Sequence, residues 1–172
     1  YICMKNIYAS AAMQIEADKV EELRVKHKAW KTPGHCWWTD SHGNVQSFTM
    51  ADESHPQSTI IYEKLEELCC KLTREGYSPS LHWVLRAVPD DEKEKLLCGH
   101  SEKLAVACAL INTREGEPIR ITKNMQVCAE CHSAISLIAK VEKRNIQLMD
   151  VNRIHIFEDG RCGCEEGLSA TS

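Results

Sequence analysis

Two stretches of this sequence bring together residue types that handle a metal ion and a proton. In "LCGHSEKLAVACAL", residues 97–110, His100 stands two before Glu102, and in "NMQVCAECHSAI" Cys128 and Cys131 are three apart. Cysteines at that spacing on a helix start face the same side, and the positive helix end favours the thiolates a metal requires. His100 adds a nitrogen. A His/Cys/Cys set leaves one tetrahedral corner open, the layout of a catalytic zinc whose bound water ionises near neutral pH. A carboxylate beside such a water can carry its proton to a pyrimidine ring nitrogen and on to departing ammonia, as in H-x-E…C-x-x-C deaminases. Residues two apart within a helix point about 200° apart, so His100 and Glu102 converge only if His100 lies at the helix mouth. The change there from the charged run "PDDEKEKLL" to an apolar helix meets that condition. Each motif alone is weak; the two together, 28 positions apart with room for a helix, a loop and a strand, are specific. The competing reading is a closed zinc site completed by His132, with Glu102 a solvated helix residue.

A second constellation lies in "RIHIFEDGRCGC". On an extended strand Cys162 and Cys164 share one face, and His155 reaches them across the turn at Asp159-Gly160. A fourth ligand must come from elsewhere, His55 in "ESHP" or else His42. No proton carrier adjoins this set, so it reads as a closed, structural zinc; the alternative is an unliganded cysteine pair. Of the other polar candidates, Trp38 could stack on a base, although core packing accounts for both Trp37 and Trp38. Lys103 and Lys123 flank the first constellation and could touch phosphate, with solvated lysine the plainer reading. His27, His35 and His82 have no spaced partners.

The elements that must position these residues follow from periodicity. Residues 1–29 read as two short helices, broken at Pro33-Gly34. "CWWTDSHGNVQSF" reads as a hairpin, and Ile60, Ile61, Leu65, Leu68 and Leu72 mark a helix that stops at Gly76. The segment 77–97 reads as a loop, a short apolar piece and a charged helix. From His100 onward the order is helix, strand, helix, strand, strand, which implies an α/β sandwich layered around a sheet. The boundaries drawn are 1–30 for a helical extension, 31–56 for the hairpin region and 57–172 for the main domain.

Composition narrows the partners. A formal charge of -4 over 172 residues lacks the basic footprint of an autonomous nucleic-acid binder, so tight RNA binding needs help from outside this chain. No apolar run reaches the roughly 18 residues of a membrane span, and no signal-peptide pattern opens the chain. Beginning at Tyr1, inside what reads as a helix, it is expected to be a piece of a longer protein. Ten cysteines among eight histidines, with C-x-x-C and C-x-C pairs, point to metal binding in a reducing compartment. Cys3, Cys36, Cys69, Cys70, Cys98 and Cys108 read as small core hydrophobes.

With these residues in view, the chain resembles the DYW domain at the C-terminus of plant organellar pentatricopeptide-repeat RNA-editing proteins. "NIYASAAMQIEADKVEELR" is similar to the end of the helical extension motifs, and "KTPGHCWW…SF…DESHP" to the PG box. "IYEKLEEL", "GYSP", "HSEKLAVACALINTREGEPIRITKN", "VCAECHSAI" and "HIFEDGRCGC" follow in order. The resemblance implies a cytidine-deaminase-like α/β/α fold with a C-terminal zinc-bound hairpin. It implies an active-site zinc on His100, Cys128 and Cys131, with Glu102 as proton shuttle, and a second zinc on His155, Cys162, Cys164 and a further His, carried here to His55. It also implies single-stranded RNA positioned by an upstream repeat array, other editing factors as partners, and a mitochondrion or chloroplast as the location.

The chain departs from the family at several points. The terminal Asp-Tyr-Trp is absent after the last cysteine pair, where Glu165, Glu166, Gly167 and Leu168 stand; Ile156 replaces the second His of "RFHHF", Met149 the Arg of "VRD", and Ser136 a common Lys. A variant branch of the family, associated with uridine-to-cytidine conversion, departs in similar places. Cytidine-to-uridine deamination is nevertheless expected, because the motif residues for it are complete, with the reverse amination as one alternative. A catalytically silent, zinc-stabilised interaction module is another.

Overall fold

Alternation of apolar and polar residues builds the sheet of this protein. In the computed structural model, Ile119 and Ile121 of "IRITK" point to the core while Arg120 faces out, and in "IHIFE" His155 and Phe157 are buried while Ile154 and Ile156 are exposed. The structure describes residues 13–29, 32–78 and 97–166, with positions 1, 4, 5, 7, 8 and 11. The apolar piece and charged helix expected within 77–97, with His82, lie almost wholly outside the described residues, as does the end of the tail.

The elements are α1 (Gln14–Lys26), β1 (Cys36–Thr39), β2 (Val45–Phe48), α2 (Ser58–Arg74), α3 (Ser101–Asn112), β3 (Ile119–Lys123), α4 (Ala129–Val141), β4 (Ile146–Met149), β5 (Ile154–Glu158), β6 (Arg161–Cys162) and the short α5 (Gly163–Glu166). One six-stranded sheet runs β2-β1-β3-β4-β5-β6. β3 and β4 are parallel and joined through α4; every other pairing is antiparallel. Because β1 pairs with β3, Cys36 opposite Lys123, the hairpin belongs to the same sheet as the later strands. The expected mixed α/β class is what the chain adopts.

α3 packs against β1, β2 and β3, α4 against β5, and α2 against both helices. α2 meets them with Ile61, Leu65, Leu68 and Leu72, each nearly inaccessible to solvent. Burying a side chain of that size contributes roughly 1.5–3 kcal/mol. α3 is enclosed by the sheet and α2 and is buried from Ser101 to Ala109, which explains why its sequence shows so little polar face. α2 stops where Gly76 takes φ +83°. There Gly76 N donates to Thr73 O and Tyr77 N to Leu72 O, both at 3.0 Å, a glycine cap that delivers Tyr77 toward the start of α4. No helix among the described residues is long and apolar enough to cross a membrane.

Candidate metal centre

The site forms where two helix starts meet at the end of β3. His100 is the N-cap of α3 with extended backbone, φ −61° and ψ 137°, and Cys128 is the N-cap of α4, φ −76° and ψ 152°. A cap residue lies outside the helical stack, so the His100 side chain swings over the first turn toward Glu102. Its Nδ1 lies 3.2 Å from Cys131 Sγ and 3.7 Å from Cys128 Sγ. Those separations straddle the N-to-S edge of a tetrahedral zinc site, roughly 3.5 Å from ordinary ligand bond lengths. With a carboxylate oxygen of Glu102 the ligand atoms lie within 4.8 Å of one another, and the group could hold a metal ion. The backbone of one cysteine holds the sulfur of the other: Cys131 N donates to Cys128 Sγ at 3.3 Å. The Cys128 thiol is held down to about 5, chiefly by its hydrogen bond with Cys131 and, against burial, by His100. Burial pushes Cys131 the other way. Donors this soft and this close suit a cation of zinc's kind.

Glu102 is 1% exposed. Its Oε2 accepts from Ser101 Oγ at 2.9 Å, and its Oε1 meets the Lys123 ammonium. Burial alone would raise its pKa, but the Lys123 charge and hydrogen bond, helped by His100, outweigh that and keep the carboxyl below its usual range. The carboxylate is thus ionised and able to accept a proton. On the other side of α3, Lys103 Nζ pairs with Glu130 Oε1 at 2.8 Å, both buried, and Tyr77 donates its hydroxyl to Glu130. Burial opposes the Lys103 charge, yet Cys131 and Glu130 raise its pKa.

A cavity of about 560 Å³ opens over this group. Thr32, Pro33, Gly34, Thr49, Met50, Met125 and Gln126 form its walls, and His100, Ser101, Glu102, Lys123 and Cys128 also line it. A side chain at Gly34 would begin 3.1 Å from Met125 Sδ, so that methionine would have to give way.

The second group is His132, His155, Cys162 and Cys164, again within 4.8 Å of one another and able to hold a metal ion. His132 Nε2 lies 3.1 Å from Cys164 Sγ, and His155 Nδ1 lies 3.8 Å from Cys162 Sγ. His155 Nε2 is 3.2 Å from Asp150 Oδ2, an oxygen that also accepts from Val127 N at 3.0 Å. A donor on that nitrogen leaves Nδ1 as the ligand atom, a familiar arrangement for metal-bound histidine.

Several expected placements are corrected. His55 is not with the cysteine pair: its Nε2 is 3.0 Å from Gln46 Oε1, its Nδ1 accepts from Gln57 N at 3.0 Å, and its ring stacks on Phe48. His132 takes that place, which also removes it from the first group. His42 sits in the hairpin turn with its amide on Asp40. Cys162 and Cys164 are not on one strand, because β6 ends at Cys162 and the chain coils into α5. Trp38 is 3% exposed and packs in the core, so it offers no face to a base. Trp37 is half-buried and stacks on His35. Lys103 and Lys123 are buried in ion pairs with carboxylates rather than free for phosphate. The signal for His132 was available in "CAECH": it follows Cys131 directly, and a helix start can turn neighbours toward different sites.

Residues 76–168 match the model of the DYW family of nucleic acid deaminases. Among curated proteins the chain is 43% identical over 164 residues to a chloroplastic pentatricopeptide repeat-containing protein of Arabidopsis thaliana, covering 95% of this chain and 18% of that protein. It is 41% identical over 167 residues to a mitochondrial pentatricopeptide repeat-containing protein of the same plant, covering 96% of this chain and 24% of the relative. A third, a pentatricopeptide repeat-containing protein of that plant whose name gives no organelle, is 40% identical over 166 residues, with 96% of this chain and 28% of the relative covered. The chain thus spans less than a third of the length of these relatives.

Proposed function

The chain belongs to the DYW family of nucleic acid deaminases, and on that footing we propose that it is a zinc-dependent editing domain converting cytidine to uridine in single-stranded RNA of a plant organelle. The observation that carries this reading is the buried carboxylate of Glu102, ion-paired with Lys123, within 4.8 Å of the His100, Cys128 and Cys131 ligand atoms and lining a cavity of about 560 Å³. Zinc held by His100 Nδ1 and the two sulfurs would supply the Lewis acid that readies water for attack at C4. Glu102 takes the water's proton, passes it to N3 of the base, and protonates the departing amine, so that cytidine and water become uridine and ammonia. Lys123 keeps the carboxylate ionised and aimed into the cavity before the proton arrives. Met50 and Met125 offer the base soft, polarisable walls, suited to contact with an aromatic ring.

The second group, His132, His155, Cys162 and Cys164, holds a structural zinc on this reading, since nitrogen and sulfur fill all four positions. RNA choice falls to a pentatricopeptide-repeat array elsewhere in the protein. The net charge of -4 agrees with that division of labour. Names of the relatives, chloroplastic and mitochondrial, support an organelle.

Amination of uridine is the second reading, favoured by the residues that replace Asp-Tyr-Trp after Cys164 and by Ile156. It needs the same donors and an ammonia source. The deciding experiment gives the full-length protein RNA bearing C or U at the target position. Deamination converts the C and leaves the U; conversion of U alone reverses the assignment. Glu102→Ala is expected to lower editing by about 10³-fold with zinc content unchanged. A silent interaction module would convert neither base and would be indifferent to the substitution.

A further inference from the structure

Among the described residues outside the two candidate metal groups, one pair of cysteines is brought together by the fold. Cys69 on α2 and Cys98, just before α3, place their sulfurs 3.1 Å apart, and both are half-buried. Cys69 follows the buried Leu68 on the side of α2 that faces the core. Cys98 is helical and stands two residues before His100, joined to it by the turn at Gly99. Leu97 before it is fully buried, Gly99 O after it accepts from Ala51 N at 2.7 Å, and His100 N returns to Leu97 O at 3.4 Å. The two sulfurs belong to different elements, 29 positions apart in sequence, so a bond between them fastens α2 to the mouth of α3.

We propose that Cys69 and Cys98 are a redox modification site, closing a reversible disulfide that moves the His100 turn and slows the enzyme. The oxidant is a low-molecular-weight disulfide of the glutathione class. One protein sulfur, having lost its proton, attacks that disulfide and expels one small thiolate, leaving a mixed disulfide. The second protein sulfur then attacks the first and expels the other thiolate. Two protein thiols lose two electrons and two protons, and the small disulfide becomes two thiols. Closing the bond ties the Cys98 side chain, and the His100 backbone two residues on, to α2, which is itself packed through Ile61, Leu65, Leu68 and Leu72. A shift of a catalytic group of about 1 Å costs up to about 10²-fold in rate. The effect on editing rests on the deaminase reading above; the bond itself does not.

The test equilibrates the full-length, zinc-loaded protein with mixtures of reduced and oxidised glutathione, traps free thiols by alkylation, and maps disulfides by mass spectrometry without reduction. A linked peptide containing Cys69 and Cys98 is expected to appear as editing falls by about 10-fold or more, with zinc content constant, and dithiothreitol is expected to reverse both. Cys69→Ser is expected to edit at the ordinary rate and to ignore the oxidant. Absence of the linked peptide at every mixture overturns the proposal, and so does a linked form that edits at the full rate. A Cys69→Ser protein that still loses activity together with zinc also overturns it, because oxidation then acts on the metal cysteines. If the linked peptide forms in a protein that edits neither base even when reduced, the modification site stands and the deaminase reading fails.

Discussion

Cys131 and His132 are adjacent at the start of α4, yet one faces His100 and Cys128 and the other faces His155, Cys162 and Cys164. The two groups differ in the fourth member. Around Cys131 it is a carboxylate, Glu102, held by Lys123 and opening onto a cavity; around His132 all four members are nitrogen or sulfur donors. Neutral and thiolate donors in a full set satisfy a metal and leave nothing to react. A carboxylate that already has a lysine partner binds a metal weakly and is freer to move protons. On the proposed reading, one helix start serves as the wall between a reactive site and a fastening.

The sharpest way to break that contrast is to remove a donor from the second group. Cys162→Ser takes one sulfur from the cluster that ties β5, β6 and α5 to α4. Metal binding at such sites is part of the folding free energy, so if both groups hold zinc as proposed, the variant is expected to lose one ion and to melt lower by roughly 10 °C. Metal analysis and calorimetry on the same preparation check this. A Cys162→Ser protein that melts normally but no longer edits would make the second group catalytic and erase the distinction.

Lys123 sharpens the other half of the comparison. It is buried on β3 beside Glu102, and its charge holds the carboxyl below the usual range. In Lys123→Met the carboxyl pKa rises, so the ionised form needed to accept a proton is populated only at higher pH. The acid limb of the kcat profile is expected to move upward, with kcat at neutral pH down by about 10-fold to 100-fold. An RNA-contact role would instead raise KM, leave the limb in place and weaken the salt dependence of binding. The pH profile distinguishes the two.

Much of the framework was legible. β4 begins and ends as "IQLM" suggests, and α2 follows its Ile61, Leu65, Leu68, Leu72 stripe to Gly76, because burial on one face imposes a period on the sequence. What could not be read was the pairing of charges across elements. A lysine is solvated by default, and only the fold shows that Glu102 lies under Lys123 and Glu130 under Lys103. The choice between Trp37 and Trp38 turned on strand register, which nothing local fixes. For Cys162 and Cys164 the C-x-C spacing fits either a strand or a coil, and the chain coils at Gly163. That choice puts Cys164 near His132, and the histidine at residue 55 is left to brace the hairpin through Gln46.

The smallest effect concerns the rim of the reactive site. Asp52 organises the turn that carries Thr49 and Met50 into the cavity wall: its Oδ1 accepts from Ser54 N and Oγ at 2.9 and 2.6 Å, and its Oδ2 accepts from Thr49 N at 3.2 Å. Ala51 within that turn holds a positive φ of 54°, a conformation alanine adopts only when its surroundings impose it. The Ser54 hydrogen bond, acting against burial, keeps the Asp52 carboxyl below its usual range. A depressed carboxyl stabilises the fold above the unfolded pKa of about 3.9, and that contribution disappears as pH falls through the lower, folded value. Asp52→Ala is therefore expected to cost about 1 kcal/mol near neutral pH, or 2–4 °C in melting temperature. The gap to the unaltered protein should narrow as pH drops below about 4. Because the turn walls the cavity and meets the mouth of α3 only through the Ala51 N to Gly99 O bond, the substitution should raise KM for RNA while the metal content stays as in the unaltered protein. A gap that stays constant down to pH 2, or zinc lost from the second group, would show that this rim and the fastening are one unit rather than two.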